Sequence, residues 1–294
     1  MALTRGVRFS GSAQPASDVR DTMGRALGHE SQRSVMKFGL HTGYWKAGPP
    51  AGMAEAVTWA DQHGLDSVWT AEAYGSDALT PLAWWGASTS QIRLATGIAQ
   101  MAARTPTATA MAALTLDHLS GGRFVLGLGA SGPQVVEGWY GQPYAKPLAR
   151  TREYVAIIRD VLRRENPVAA SGPAYPLPLS ADVPGATGQG KSLRSTVHPL
   201  RADLPIHLAA QGPRNTALAA EIADGWLPAF LSPSLDGEAR DLLAQGFAAR
   251  DGGFRAVEEF EVCASVPLAV AGSVDEAVEL LRPHIALYAG GMGA

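Results

Sequence analysis

Residues 105–132 read TPTATAMAALTLDHLSGGRFVLGLGASG, and this stretch decides the fold. Thr105 suits a helix N-cap, because its hydroxyl can accept a bond from an N–H of the first turn. Pro106 then takes the first helical position, where a missing N–H has no intrahelical partner to lose. Ala110, Ala113, Leu114 and Leu116 recur near helical spacing and give an apolar face. Gly121 and Gly122 can adopt the left-handed conformation that ends a helix. The run from Phe124 to Leu128 is too short for anything but a buried strand. Helix, tight turn and buried strand make half of a repeating α/β unit.

The end of the same stretch, Gly127-Leu-Gly129-Ala-Ser-Gly132, is a literal GxGxxG. A dinucleotide fingerprint also needs a helix opening at the third glycine and an acid at the end of the next strand, roughly 20 residues on. Here Pro133 follows, Gly138, Trp139, Gly141 and Pro143 break the run, and the acid at that distance, Glu153, lies in a helical pattern. What survives is the physical core of the motif: backbone N–H groups at a glycine-rich strand exit can hold an anion.

Outward from this stretch the same unit repeats. Residues 37–41 (KFGLH) read as a strand leading into the loop HTGYWK, 53–63 as a helix closed by Gly64, and 65–70 as a strand running into AEAYGSD. Residues 81–90 read as a helix and 92–98 as a strand. Beyond the central stretch, 151–164 form an amphipathic helix, and strands at 204–210, 226–230 and 260–271 alternate with helices after Pro213 and Val274. Connections this short make the strands parallel, with the helices packed outside them. Seven strands are counted where a closed barrel needs eight. The ring is therefore expected to be open, with exposed edges or a partner chain in the gap, as in a possible homodimer.

Two segments stand apart. Residues 1–35 show no sustained period and no apolar segment of a secretory signal, so they are expected to be a disordered extension preceding a domain over 36–294. Residues 166–203 are rich in proline and glycine and form an insertion too long for a plain connection. Such a loop suggests a lid over a ligand. Its Lys191, Arg194 and His198 suit either an anionic ligand or a solvated loop.

The totals narrow the function. A chain of 294 residues with net charge -3 supports one sizeable domain and gives no electrostatic reason to expect nucleic acid or an anionic membrane. No apolar run approaches the roughly 18 residues needed to span a bilayer. The single cysteine, Cys263, excludes an intrachain disulfide and fits a cytoplasmic compartment. The seven histidines show no HxH or HExxH spacing, and no metal is expected.

Taken in order, SVWTAEAY (67–74), ATGI (95–98), LDHLSGGR (116–123), GLGASG (127–132), AAQGP (209–213), ADGW (223–226) and YAGGMG (288–293) resemble the luciferase-like flavin monooxygenase family. Within it they are most similar to the deazaflavin (coenzyme F420)-dependent oxidoreductases. The resemblance implies a TIM-type (β/α)8 barrel with an insertion, here lacking the last strand and helix that relatives carry beyond the final motif. In such barrels chemistry sits at the carboxyl ends of the strands. That rule places His41, Glu72, Ile98, Gly129 to Gly132 and Ala210 to Gly212 on the working face. It leaves Arg123, at the amino end of its strand, as a structural residue.

The resemblance further implies a non-prolyl cis peptide at Gly97-Ile98, a bulge behind a bent deazaflavin ring. The phosphate of the cofactor would be held by the amides of Gly129, Ala130, Ser131 and Gly132 together with Ala210, Gln211 and Gly212. Glu72 matches an acid that touches the cofactor in relatives, but Ala73 replaces the histidine that commonly follows it. His41 is then the candidate proton donor. The implied activity is hydride transfer between F420 and a small organic substrate held under the insertion. The alternatives are a monooxygenase using reduced FMN and oxygen, and an inactive relative.

Overall fold

A computed structural model of the chain describes residues 2–8, 36–251 and 255–292. Strand β1 (Ala2–Arg8) is followed by the parallel strands β2 (Lys37–His41), β3 (Ser67–Thr70), β4 (Arg93–Thr96) with its continuation β5 (Ala99–Gln100), β6 (Phe124–Gly129), β7 (Ile206–Ala209), β8 (Gly225–Leu227) and β9 (Glu261–Pro267). The helices are α1 (Met53–Gln62), α2 (Thr80–Gly86), α3 (Pro106–Ser120), α4 (Pro133–Gly138), α5 (Pro147–Arg163), α6 (Pro213–Ile222), α7 (Asp236–Ala248) and α8 (Val274–Leu287). Parallel pairing runs β2-β3-β4-β6-β7-β8-β9, and this is the barrel the sequence implies.

The ring is not open. β1 lies antiparallel between β2 and β9, with Ala2 opposite both His41 and Pro267. The expected gap is therefore filled by residues assigned to a disordered extension; residues 1 and 9–35 of that segment lie outside the described residues. Main-chain pairing explains the difference. The edges of β2 and β9 each present unpaired N–H and C=O groups, which any extended segment can satisfy whatever its side-chain period.

The central stretch folds as its residues require. The hydroxyl of Thr105 accepts the N–H of Ala108 at 3.3 Å, and Gly121 and Gly122 end α3 at φ 64° and 86°. Strand β6 then alternates. Phe124, Leu126 and Leu128 face the helix layer among Leu82, Leu114, Tyr154 and Ile158, whereas Val125 joins Trp69, Ala95 and Cys263 inside the barrel. Each fully buried large side chain of the outer layer contributes roughly 2 kcal/mol.

The same alternation puts Gly127 and Gly129 on the inner face, where there is no room for a side chain. A Cβ on Gly127 would meet the Thr96 carbonyl oxygen at 1.8 Å, and one on Gly129 would meet Ile98 Cδ1 at 2.8 Å. Packing thus accounts for two of the three glycines of the GxGxxG pattern. A short helix, α4, does open after the third, with Pro133 at its start.

Charged residues close the amino end of the ring. Arg93 donates to Glu261 at 2.8 Å and to Asp66 at 3.1 Å, while Lys37 lies 3.0 Å from Asp66. Nearby, Arg123 donates to the carbonyls of Ser120, Ile92 and Thr89 at 2.8, 2.7 and 3.1 Å, a structural stitch on the face opposite the chemistry. The insertion 166–203 leads toward this end too. Near its end, Arg201 pairs with Asp117 and donates to the Phe124 carbonyl at 2.7 Å.

Candidate active site

The carboxyl ends of the strands surround a cavity of about 370 Å³. Its floor is built from the ends of β2 and β4. The Gly97-Ile98 peptide is cis, as the resemblance implies, and the chain swings out there before resuming as β5. Three bonds fix this bulge. Gly97 N–H donates to the Thr70 carbonyl at 2.6 Å, the Glu72 N–H donates to the Ile98 carbonyl at 3.0 Å, and His41 Nε2 lies 3.1 Å from the Gly97 carbonyl oxygen. Trp69 supports the bulge from inside the barrel, where a Cβ on Gly97 would come within 3.1 Å of its ring.

His41 lines the cavity, but its ring is already engaged. The Gly43 N–H donates to Nδ1 at 3.0 Å, so Nδ1 is the acceptor and Nε2 carries the proton given to Gly97. Burial, helped by the nearby His284, lowers its pKa and keeps it neutral. This tautomer makes His41 a prop for the bulge; its proton is not directed at a substrate.

Glu72 lies just beyond the carboxyl end of β3. It is buried and does not line the cavity. Both carboxylate oxygens accept from Arg104, at 2.9 and 2.8 Å, and one also accepts the Gln100 N–H at 2.7 Å. Glu72 therefore grips the chain on the far side of the bulge, two residues beyond Ile98. An acid so bound is a brace.

The glycine-rich corners fall beside one another because Gly129 pairs with Ala209 in register. Ser131 has φ 58°, and its carbonyl accepts the Tyr144 hydroxyl at 2.9 Å. The Ala210 carbonyl accepts Trp226 Nε1 at 2.9 Å, and Gln211 accepts Asn215 Nδ2 at 3.1 Å. With these carbonyls engaged, the amides of Ser131, Gly132, Gln211 and Gly212 make no bond to any described residue. Gly212, at φ 76°, precedes α6 and has nothing within 4 Å of where a Cβ would stand. Four free N–H groups beside the amino end of a ten-residue helix suit an anionic group. Ala130 lies between the two glycines of this corner and packs against the outer core, while Gly129 is closed off by Ile98.

The roof of the cavity was missed by the sequence reading. No residue of 166–203 lines it. The cover is α8 and the turn after it, through Leu280, Leu281, His284 and Tyr288. The Tyr44 and Tyr288 hydroxyls meet at 3.2 Å across the mouth, and Phe230 packs edge-on to Tyr288 with ring centres 5.0 Å apart. Burial pushes the Tyr44 pKa well above the usual tyrosine range, so its hydroxyl stays protonated. The motifs HTGYWK and YAGGMG contain both tyrosines, but only the fold brings them together.

A second polar group sits deeper. His207, Glu261 and Cys263 are buried within metal-ligand range of one another, on β7 and β9, where no sequence spacing could reveal them. Glu261 lies 3.6 Å from Nε2 and Cys263 Sγ 3.9 Å from Nδ1, so opposite ring nitrogens face the two partners. A cation would need one nitrogen aimed at both, so the geometry is that of a contact chain. Burial drives His207 down to about 4, and although burial also pushes Glu261 upward, Arg93 holds it at about 2. Among the described residues no helix is long and apolar enough to cross a membrane.

The family described as luciferase-like monooxygenase matches residues 33–292. A Mycobacterium tuberculosis protein provisionally named a coenzyme F420-dependent oxidoreductase is 59% identical over 259 residues, covering 88% of this chain and 74% of its own. The coenzyme F420-dependent tetrahydromethanopterin reductase of Methanopyrus kandleri superposes with a TM-score of 0.70 at 24% identity, over 86% of this chain and 72% of that one. An F420-dependent secondary alcohol dehydrogenase bound to an F420-acetone adduct gives 0.72 at 19% identity, over 86% and 76%. These two likenesses bear on the barrel and its connections. Matching motifs, a closed barrel and a bulged third parallel strand agree with the family match, and the chain belongs to the luciferase-like monooxygenase family of oxidoreductases.

Proposed function

We propose that the chain is an F420-dependent oxidoreductase that moves a hydride between the deazaflavin and a small organic substrate under α8. The observation that carries this reading is a register. Gly129 pairs with Ala209, a wall residue of the cavity of about 370 Å³ over the Gly97-Ile98 bulge, and beyond this pair the two strands run out into Ser131, Gly132, Gln211 and Gly212, whose amides make no bond to a described residue. A flat ring fits the cavity and a phosphate the amides, without any lysine. The name of the mycobacterial relative agrees.

The chemistry supplied by a bound deazaflavin is two-electron hydride transfer. The chain's own contribution is placement. Gly97 and Ile98, held by His41, Trp69 and Glu72, form the surface behind the ring. The four amides hold the phosphate. Leu280 and Leu281 add apolar surface to the cavity wall from α8. When a carbonyl is reduced, the hydride adds to its carbon and a proton must reach its oxygen. The Tyr44 and Tyr288 pair can hold that proton, since one hydroxyl donates to the other and leaves an O–H for the cavity.

The test is to mix the protein with F420 in each redox state and a panel of small alcohols and ketones, following deazaflavin absorbance. Substrate-dependent bleaching or recovery supports the reading. Oxygen consumption with reduced FMN, and none of the former, would replace it with the monooxygenase alternative.

A further inference from the structure

The insertion 166–203, which does not cover the barrel mouth, forms a cavity of its own. It is tied down at its margins: Val168 bridges to Leu193, Ala170 bridges to Leu177, and the Ser195 carbonyl accepts Arg164 Nε at 2.9 Å. Between these ties and the outer sides of α3 and α5 lies a groove of about 440 Å³, within the range of small-molecule sites. Met111, Leu114, Val161 and Val168 give it an apolar bed. Met111 and Leu193 remain 62% and 66% exposed, although the folded insertion lies directly against them. The groove is thus framed by described residues and not filled by them.

Two cations, Lys191 and Arg194, stand in the lining, and among the described residues no carboxylate does. Among the described residues neither cation makes an ion pair or hydrogen bond. By contrast Arg164, just before the insertion, and Arg201, near its end, are engaged, by Ser195 and by Asp117. An apolar trough with two unpaired positive charges at its edge is complementary to one kind of occupant: an apolar chain ending in an anion.

We propose that this groove binds a free fatty carboxylate, with its chain along Met111, Leu114 and Val168 and its carboxylate between Lys191 and Arg194. The site is separate from the barrel mouth, since the two share no lining residue.

Calorimetric titration of the full-length protein with dodecanoate, below its micelle concentration, tests this. Saturable binding is expected, at least about tenfold weaker for dodecanol and for the double variant Lys191→Glu/Arg194→Glu. Both cations are exposed, so charge reversal should leave the fold intact, and a second variant, Met111→Glu, should abolish binding without lowering thermal stability. Saturating F420 should not displace the dodecanoate. Absence of saturation, indifference to both variants, or displacement by F420 would each overturn the proposal. So would self-association of the chain that Met111→Glu abolishes, because the groove would then be a contact between copies.

Discussion

His41 and Gly97, 56 residues apart in the chain, are joined at 3.1 Å through the imidazole Nε2 and the carbonyl oxygen of the cis peptide. The histidine is held in the donating tautomer by the Gly43 amide on its other nitrogen. His41→Ala leaves that carbonyl without its donor and is expected to cost about 1–2 kcal/mol of stability. F420 affinity should fall by about tenfold, a difference of roughly 1.4 kcal/mol, and His41→Asn, which can still donate, should recover part of it. Calorimetric titration and thermal melts of the two variants check this. Unchanged affinity in His41→Ala would separate His41 from the bulge.

Glu72 and Arg104 give a second test, aimed at the difference between a brace and a proton carrier. Glu72→Gln keeps an acceptor for the Gln100 amide but loses the paired charge on Arg104, whose side chain is 23% exposed. A destabilisation of about 2 kcal/mol is expected, below the 3–5 kcal/mol of a fully buried pair because of that exposure. The affinity for cofactor should drop while the pH profile of turnover keeps its shape. A profile that loses one limb would make Glu72 catalytic.

Two glycines of the central stretch should respond in opposite ways. Gly127→Ala forces a Cβ against the Thr96 carbonyl at 1.8 Å, and a backbone oxygen cannot swing aside. The variant is expected to lose more than about 4 kcal/mol or to fail to fold. Gly212→Ala has free space and should lose only about 1–3 kcal/mol, through a backbone at φ 76° and ψ 157° that favours glycine. Its measurable loss should be in affinity for the cofactor's phosphate.

His207 should mark the pH dependence of stability. Its pKa falls from the ordinary 6.5 to about 4 because burial disfavours the imidazolium. Above pH 6.5 neither folded nor unfolded chain holds this proton, and the contribution is fully present. As pH falls from 6.5 toward 4 the unfolded chain takes up the proton first, and stability is lost. His207→Gln should flatten that part of a melting-temperature curve, leaving the carboxylates to dominate below it. An unaltered slope would contradict the burial account.

Much of the barrel was legible because its signals are local. Thr105, Pro106, Gly121 and Gly122 state where α3 begins and ends, and the 124–128 run states where β6 lies. β1 was illegible for the opposite reason. Its pairing is made by main chain against two distant edges, and residues 2–8 need no apolar alternation to supply it. The site divides along the same line. Gly97, Ile98 and the two glycine corners could be placed by motif, since each belongs to one strand exit. The roles of His41 and Glu72 depended on Gly43, Gln100 and Arg104, partners fixed only by the fold. Tyr44 and Tyr288, 244 residues apart, had no joint signature at all.

The antiparallel strand makes its own prediction. Deleting residues 2–8 should uncover the facing edges of β2 and β9, and exposed edges pair with other chains. Size-exclusion chromatography should show higher oligomers and a melt should show a lower midpoint. A monodisperse deletion variant of unchanged stability would mean that β1 does not close the ring in solution.

The most direct test of the central claim is calorimetric titration of F420 into the wild-type chain and into Ala209→Phe. Ala209 is an exposed wall residue, so the larger side chain fills the cavity over Gly97-Ile98 without disturbing the core. One-to-one binding to the wild type, weakened at least about tenfold by the substitution, is the predicted result. Absence of binding to the wild type, or equal affinity in both proteins, would contradict it.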